Sequence, residues 1–167
     1  MRLETERLVI TEFATDMAKA VHENSLDEDT RRFLPDEVFE TVEDALETIQ
    51  FLMTQYASAE GPYVYPVLLK DDTNIGYVQL VPNEEGWEIG YHIAKQYTGK
   101  GYATEAVSKF MPEIAAKKHI SEIHGICLKE NAGSVKVMEK CGFEITYRGM
   151  GNYQGQERDI VKAVWRI

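Results

Sequence analysis

The stretch Gln96-Tyr97-Thr98-Gly99-Lys100-Gly101-Tyr102-Ala103-Thr104-Glu105 is where residue types and spacing most plainly imply chemistry. Gly99 and Gly101 let the backbone turn tightly, so that successive N–H groups aim into one concavity. An amphipathic helix follows, and the first donors of a helix have no internal partner. The chemistry is anion binding, of a phosphate or pyrophosphate. A P-loop for nucleoside triphosphates fits weakly, because here the lysine lies between the glycines and Tyr102 follows the second. A dinucleotide fingerprint needs a third glycine where Thr104 stands, and an acidic residue at a strand end about 20 residues further on. Neither is present.

Two titratable residues lie just upstream, on the strand-like run 87–94. Two-residue alternation puts Glu88, Gly90 and His92 on one face, with Trp87, Ile89, Tyr91 and Ile93 on the other. Glu88 is a candidate general base, or a solvated carboxylate beside a turn. His92 titrates in the right range for acid–base work, or is a packed histidine. Glu105 would repel a pyrophosphate if it pointed at one, so its expected part is a supporting contact. Downstream, Asn131 and Ser134 open another helix as capping residues, and Ser134 also offers a hydroxyl. Cys127 and Cys141 lack metal or redox spacing and read as reduced, packed thiols with no catalytic part.

The elements that must hold these residues can be read in chain order. Residues 1–13 form a strand, with Leu8, Ile10 and Phe13 in rough alternation. A short helix capped by Thr15 or Asp16 runs to Asn24, and 27–39 is a polar loop, with or without a helical turn, broken by Pro35. Thr41-x-x-Asp44 caps a stronger helix whose stripe Val42, Ala45, Leu46, Ile49, Leu52, Met53 and Tyr56 is built for burial. Strands at 63–69, 75–81 and 87–94, joined by short polar turns, make an antiparallel meander. The helix of 99–117 presents Ala103, Ala106, Val107, Phe110, Met111, Ile114 and Ala115 on one face. The strand of 122–128 returns parallel because a helix connects it, so the sheet is mixed. A helix of 135–140 and a hairpin of 143–148 with 159–165, around a loop at 149–155, close the chain.

Composition sets limits on function. A chain of 167 residues suits one domain, spanning 1–167, with a core that needs no disulfide or metal. A net charge of −10 argues against nucleic acid and anionic membranes and fits a cationic substrate, or simply solubility. No apolar run approaches the ~20 residues that span a bilayer, and Arg2, Glu4, Glu6 and Arg7 exclude a signal-peptide core. The expected location is the cytoplasm, and the expected state a monomer or homodimer.

Gln96, Gly99 and Gly101 meet the pattern Gln/Arg-x-x-Gly-x-Gly/Ala, which resembles the acetyl-CoA pyrophosphate loop of the GCN5-related N-acetyltransferase (GNAT) superfamily. Asn131-x-x-Ser134-x-x-Val137-Met138-Glu139-Lys140-Cys141-Gly142-Phe143 is similar to the segment that lies beside the pantetheine arm in that family. Thr5-Glu6-Arg7-Leu8-Val9-Ile10 resembles the opening of its ribosomal-protein-alanine N-acetyltransferase branch, and departs from it at Thr11 and Glu12. The resemblance covers essentially the whole chain. It implies an α/β GNAT fold, with a mixed, mostly antiparallel sheet of roughly six to seven strands flanked by about four helices.

The resemblance also implies a site. The phosphates of acetyl-CoA fall to Gln96, Thr98, Gly99, Lys100, Gly101, Tyr102 and Ala103. The pantetheine amides fall to the backbone of Ile93 and Ala94, where the family splays two parallel strands, and to the neighbourhood of Asn131. The family's usual proton-donating tyrosine is replaced by Met138, so Ser134 is the expected partner of the leaving thiolate. Glu88 resembles a strand glutamate that acts as base through water. Phe33, with Leu34 beside it, His92 and Tyr153 are expected around the amine acceptor. The implied reaction moves acetyl from acetyl-CoA to a primary amine, a protein N-terminus or a small molecule, by direct attack and without a metal. The alternatives are a non-catalytic acyl-CoA-binding protein, acting as a sensor or a subunit of a complex, and a nucleotide-binding domain. The last would prefer ATP to CoA, and the loop lacks the residues for it.

Overall fold

The computed structural model describes residues 1–167. Eight strands form one sheet in the order β1-β2-β3-β4-β5-β6-β8-β7. They are β1 (Leu3–Glu4), β2 (Leu8–Ile10), β3 (Tyr63–Leu69), β4 (Asn74–Asn83), β5 (Gly86–Ile93), β6 (Glu122–Leu128), β7 (Glu144–Tyr153) and β8 (Gln156–Arg166). Every neighbouring pair is antiparallel except β5 with β6. Five helices accompany them: α1 (Ala18–Asn24), α2 (Glu28–Phe33), α3 (Val42–Gln55), α4 (Tyr102–Lys118) and α5 (Ala132–Lys140).

The mixed sheet matches the expectation, with one strand and one helix more than the resemblance implied. The extra strand arises because the opening segment folds back on itself. The Thr5 N–H donates to the Leu8 carbonyl at 3.0 Å, dividing residues 1–13 into β1 and β2. The extra helix is α2, which takes the place of the helical turn allowed for in the polar segment 27–39. The Asp27 side chain accepts from the Thr30 N–H and so caps its first turn. The closing hairpin is also tighter than expected. Gln154 and Gly155 take φ of 51° and 82°, which confines the reversal to two residues and leaves most of 149–155 in strand.

Helices cover both faces of the sheet. On one face α4 buries Ala106, Val107, Phe110, Met111, Ile114 and Ala115 against Tyr65, Val78 and Ile123 in the larger core. On the other, Ala18 of α1 and Ala45, Ile49 and Leu52 of α3 pack with Phe13 and Val64 in a smaller one. No helix is long and apolar enough to cross a membrane.

The feature that shapes the site is the junction of β5 and β6. They pair only at Trp87 with Ile123 and Glu88 with His124, although β5 continues to Ile93 and β6 to Leu128. Beyond Glu88 the two strands separate, and the sheet opens into a cleft.

Candidate active site

The cleft has a volume of about 1440 Å³ and runs from the loop before α4, through the gap between β5 and β6, to the underside of α2. Its first end is the glycine loop. Gly99 and Gly101 have φ of 75° and 82°, in the left-handed region, and Gly101 directly precedes α4. The first backbone bond of the helix is Glu105 N–H to the Gly101 carbonyl, at 3.0 Å. The N–H groups from Gly99 to Thr104 have no acceptor within the protein. A run of converging donors at a helix N-terminus is a ready anion site.

Of the residues expected there, Thr98, Gly99, Gly101, Tyr102 and Ala103 line the cleft. Gln96 and Lys100 do not; both are exposed on the outer side of the loop. Glu105 has the expected supporting place. Its carboxylate turns away from the cradle and accepts from Thr5 Oγ1 at 2.5 Å, Arg7 N at 3.1 Å and Arg7 Nε at 2.8 Å. Arg7 Nη1 also donates to the Lys100 carbonyl at 2.9 Å, and its guanidinium lies 4.4 Å from the centre of the Tyr102 ring. The opening Thr-Glu-Arg thus braces the cradle from behind. Arg7→Ala is expected to raise the KM for acetyl-CoA about fivefold with kcat unchanged, the modest loss typical of a half-exposed ion pair. Steady-state kinetics against varied acetyl-CoA would check this.

In the middle of the cleft the backbone of β5 is open. Ala94 N–H donates to the Ile75 carbonyl at 2.7 Å, and the Ala94 carbonyl accepts from Tyr97 N–H at 2.8 Å. Both groups are engaged, and the residue is fully buried. Ala94 is therefore not free to hold pantetheine, contrary to expectation. Backbone direction alternates along a strand, so Ile93 and Tyr91 face the other way, where β6 has already diverged. The backbone groups of Ile93 and Tyr91 are thus on the open edge.

Tyr91 is a cleft residue that the sequence does not single out. Its side chain reaches α5, where Oη lies 2.5 Å from Ser134 Oγ and 3.1 Å from the Ser134 carbonyl oxygen. Burial holds the phenol well above its ordinary pKa, so it keeps its proton. A carbonyl only accepts, so Tyr91 either gives its one hydrogen there and receives that of Ser134, or gives it to Ser134 Oγ and leaves the serine's own hydrogen for a group in the cleft. Alternation had placed Tyr91 with Ile89, away from Glu88 and His92; its bond to Ser134 needed the position of α5. Asn131 caps that helix, its side chain accepting from the Ser134 N–H at 3.3 Å. Met138 points into the core at 2 % exposure, and a Cβ added at Gly125 would lie 2.5 Å from its sulfur. That position cannot serve the cleft. Cys127 lines the cleft, but burial pushes its thiol up to about 11, leaving little thiolate at neutral pH.

The far end lies on the opposite face of β5. His92 Nε2 contacts Thr30 Oγ1 at 2.7 Å and lies 3.7 Å from Asp27 Oδ2. Glu88 accepts from Asn83 Nδ2 at 2.6 Å, and its burial raises the carboxyl pKa. Glu37 accepts from the Tyr77 hydroxyl and from Gln79 Nε2, and is raised by burial too. Phe33 and Tyr153 come together, as Tyr153 Oη donates to the Phe33 carbonyl at 2.9 Å and ties β7 to α2. Burial pushes the Tyr153 phenol up to about 12. Asp27, Asp29, Glu37, Glu84, Glu85 and Glu88 all line this end, with Lys162 and His124 at its margin. It favours a cation.

The acetyltransferase (GNAT) domain family matches residues 7–144 of the chain. The chain is 31% identical over 145 residues to the uncharacterized N-acetyltransferase YnaD of Bacillus subtilis, covering 85% of this chain and 82% of YnaD. Among solved structures, it is similar to a GNAT-family acetyltransferase from Bacillus anthracis, with a TM-score of 0.83 and 26% identity over 99% of this chain and 98% of that one. It also superposes on RimL, a ribosomal L7/L12 alpha-N-protein acetyltransferase solved with coenzyme A. That match has a TM-score of 0.84 and 16% identity, and covers 100% of this chain and 98% of RimL.

Proposed function

Because the chain belongs to the GNAT acetyltransferases, whose acetyl donor is acetyl-CoA, we propose that it transfers that acetyl group by direct attack to a positively charged primary amine. The observation that carries this reading is the continuity of the cleft, which joins an anion cradle, an open strand edge, a hydroxyl pair and a carboxylate-lined chamber in that order. The N–H groups from Gly99 to Thr104 hold the pyrophosphate. The open backbone of Tyr91 and Ile93 pairs with the pantetheine amides as a neighbouring strand would, beside Asn131. An N–H of the same edge faces the thioester oxygen as negative charge develops there.

Ser134 meets the departing sulfur. A thiol is acidic enough, with an ordinary pKa of about 8.5, for one hydrogen bond to ease its departure. In the arrangement where Tyr91 gives its hydrogen to Ser134 Oγ rather than to the Ser134 carbonyl, the serine hydrogen is left for the sulfur. The high pKa of the Cys127 thiol favours direct attack over an acetyl-cysteine intermediate. On the acceptor side, Glu88 and His92 are the groups able to receive the amine's proton, and Phe33 and Tyr153 form the rim. The acidic lining suits a protein N-terminal α-amine or a small polyamine. Similarity to RimL, named for N-terminal acetylation, supports the first.

The test is CoA-thiol release from acetyl-CoA, with peptides beginning in serine or alanine, diamines and spermidine as acceptors. Amine-dependent release supports the transferase. Tight acetyl-CoA binding with no release on any amine supports the non-catalytic alternative. Ser134→Ala is expected to lower kcat roughly tenfold, about the worth of one hydrogen bond made in the transition state, with acetyl-CoA affinity unchanged.

A further inference from the structure

Asp27, Thr30 and His92 form a chain of hydrogen bonds whose direction follows from counting protons. Asp27 accepts the Thr30 N–H through Oδ1 and the Thr30 hydroxyl through Oδ2, each at 2.8 Å. A carboxylate only accepts, and a threonine hydroxyl has a single hydrogen to give. That hydrogen goes to Asp27. The 2.7 Å contact between Thr30 Oγ1 and His92 Nε2 therefore runs from Nε2–H to the hydroxyl oxygen. Neutral His92 is the Nε2–H tautomer, and Nδ1 carries the lone pair. Nδ1 has no partner, yet the buried side-chain polar atoms without one are Tyr65 Oη and Asn74 Nδ2. So Nδ1 is open to the cleft that His92 lines.

We propose that His92 is the general base of the transfer, its Nδ1 taking a proton from the acceptor ammonium, with Asp27 and Thr30 as positioning residues that fix the tautomer and steady the imidazolium. This rests on the transferase reading and names the group that activates its acceptor. The ammonium gives one proton to Nδ1, and the freed lone pair forms the C–N bond to the thioester carbon. The C–S bond then breaks with its electron pair on sulfur. The second N–H proton neutralises the thiolate by way of Ser134, and His92 returns its proton to water. The products are the N-acetyl amine, CoA thiol and one proton.

The surroundings suit this part. The titratable groups about His92 are Asp27 and Asp29 of the α2 segment, Glu37 of the turn after it, Tyr77 of β4, and Glu88 four residues back along β5. Burial lowers the His92 pKa and Asp27 opposes it, so the ring is neutral at neutral pH and able to accept. Glu88 sits where β5 and β6 are still paired and is held by Asn83. Its carboxylate serves to hold the ammonium.

The first measurement needs no acceptor. Ring 15N shifts of histidine-labelled protein, assigned with His92→Gln, should show Nε2 protonated and Nδ1 bare at neutral pH; a protonated Nδ1 overturns the proposal. The second uses spermidine and a serine-initiated hexapeptide as probe amines. His92→Gln should lower kcat/KM for the amine about 100-fold, within the range for one acid–base group, and remove the acid limb of its pH profile. Asp27→Asn should move that limb to lower pH, because the carboxylate supports the imidazolium. Thr30→Val should lower kcat with acetyl-CoA affinity unchanged, and Thr30→Ser should restore it. An acid limb that survives in His92→Gln and vanishes in Glu88→Gln gives the base to Glu88 and refutes the assignment. If no amine accelerates CoA release, the transferase reading fails, while the ring shifts still decide the tautomer.

Discussion

Gly101→Val is expected to weaken acetyl-CoA binding about 100-fold or more, while the fold is retained. Gly101 holds φ of 82° immediately before α4, with neighbouring N–H groups aimed into the cradle. A β-branched side chain resists that region of backbone space, so the chain would relax towards negative φ. Relaxation turns the N–H groups of Gly101 and Tyr102 out of the concavity. Hydrogen bonds to a charged group contribute about 1.5–3 kcal/mol each, and losing two gives the stated loss. An added Cβ would first meet Arg7 Nη2, at 3.5 Å, so crowding is not the cause. Calorimetric titration with CoA is the check, alongside thermal unfolding. An unchanged affinity would separate the cradle from the cofactor.

The second large effect concerns stability. Phe110→Ala should destabilise the protein by about 3–5 kcal/mol, the usual cost of truncating a fully buried aromatic residue. Phe110 is 0 % exposed on the inner face of α4, and its ring lies 5.5 Å from that of Tyr65 at a tilt of 57°. Tyr65 has no partner for its hydroxyl, so it cannot turn to fill the space without carrying an orphaned polar group with it. The cavity would persist. Urea unfolding should show a lower midpoint with an unchanged slope; a shift worth less than about 1 kcal/mol would mean that the core refills.

These two sites differ in how far the sequence disclosed them. Phe110 was legible because helical periodicity reports burial directly, and the glycine loop because its turn and helix start are neighbours in sequence. The helix α2 was legible only as a turn: Glu28–Phe33 holds one apolar residue, Phe33, so no periodicity marks its length, and the Asp27 cap is its local signal. Long-range pairings were hidden. Tyr91 and Ser134 are brought together by α5 crossing the end of the cleft. Arg7 and Glu105 meet across most of the chain, so a familiar opening motif gave no hint that it braces the phosphate loop. The engagement of Ala94 depended on where β4 begins, and the exposure of Gln96 and Lys100 on which side of the loop faces outward. Local geometry was readable, whereas tertiary neighbours were not.

The separation of β5 from β6 has a consequence for how such a protein changes over generations. In the proposed complex the donor is held chiefly by main-chain groups along one open edge, which most side-chain replacements leave intact. The residues proposed to meet the acceptor stand on the other face of the same strand, at Glu88 and His92, and on α2 and β7. Mutations can explore those positions without forfeiting the donor, so new amines are reachable by single steps through active intermediates. One scaffold can therefore give rise to enzymes of unlike specificity while its acetyl supply stays the same.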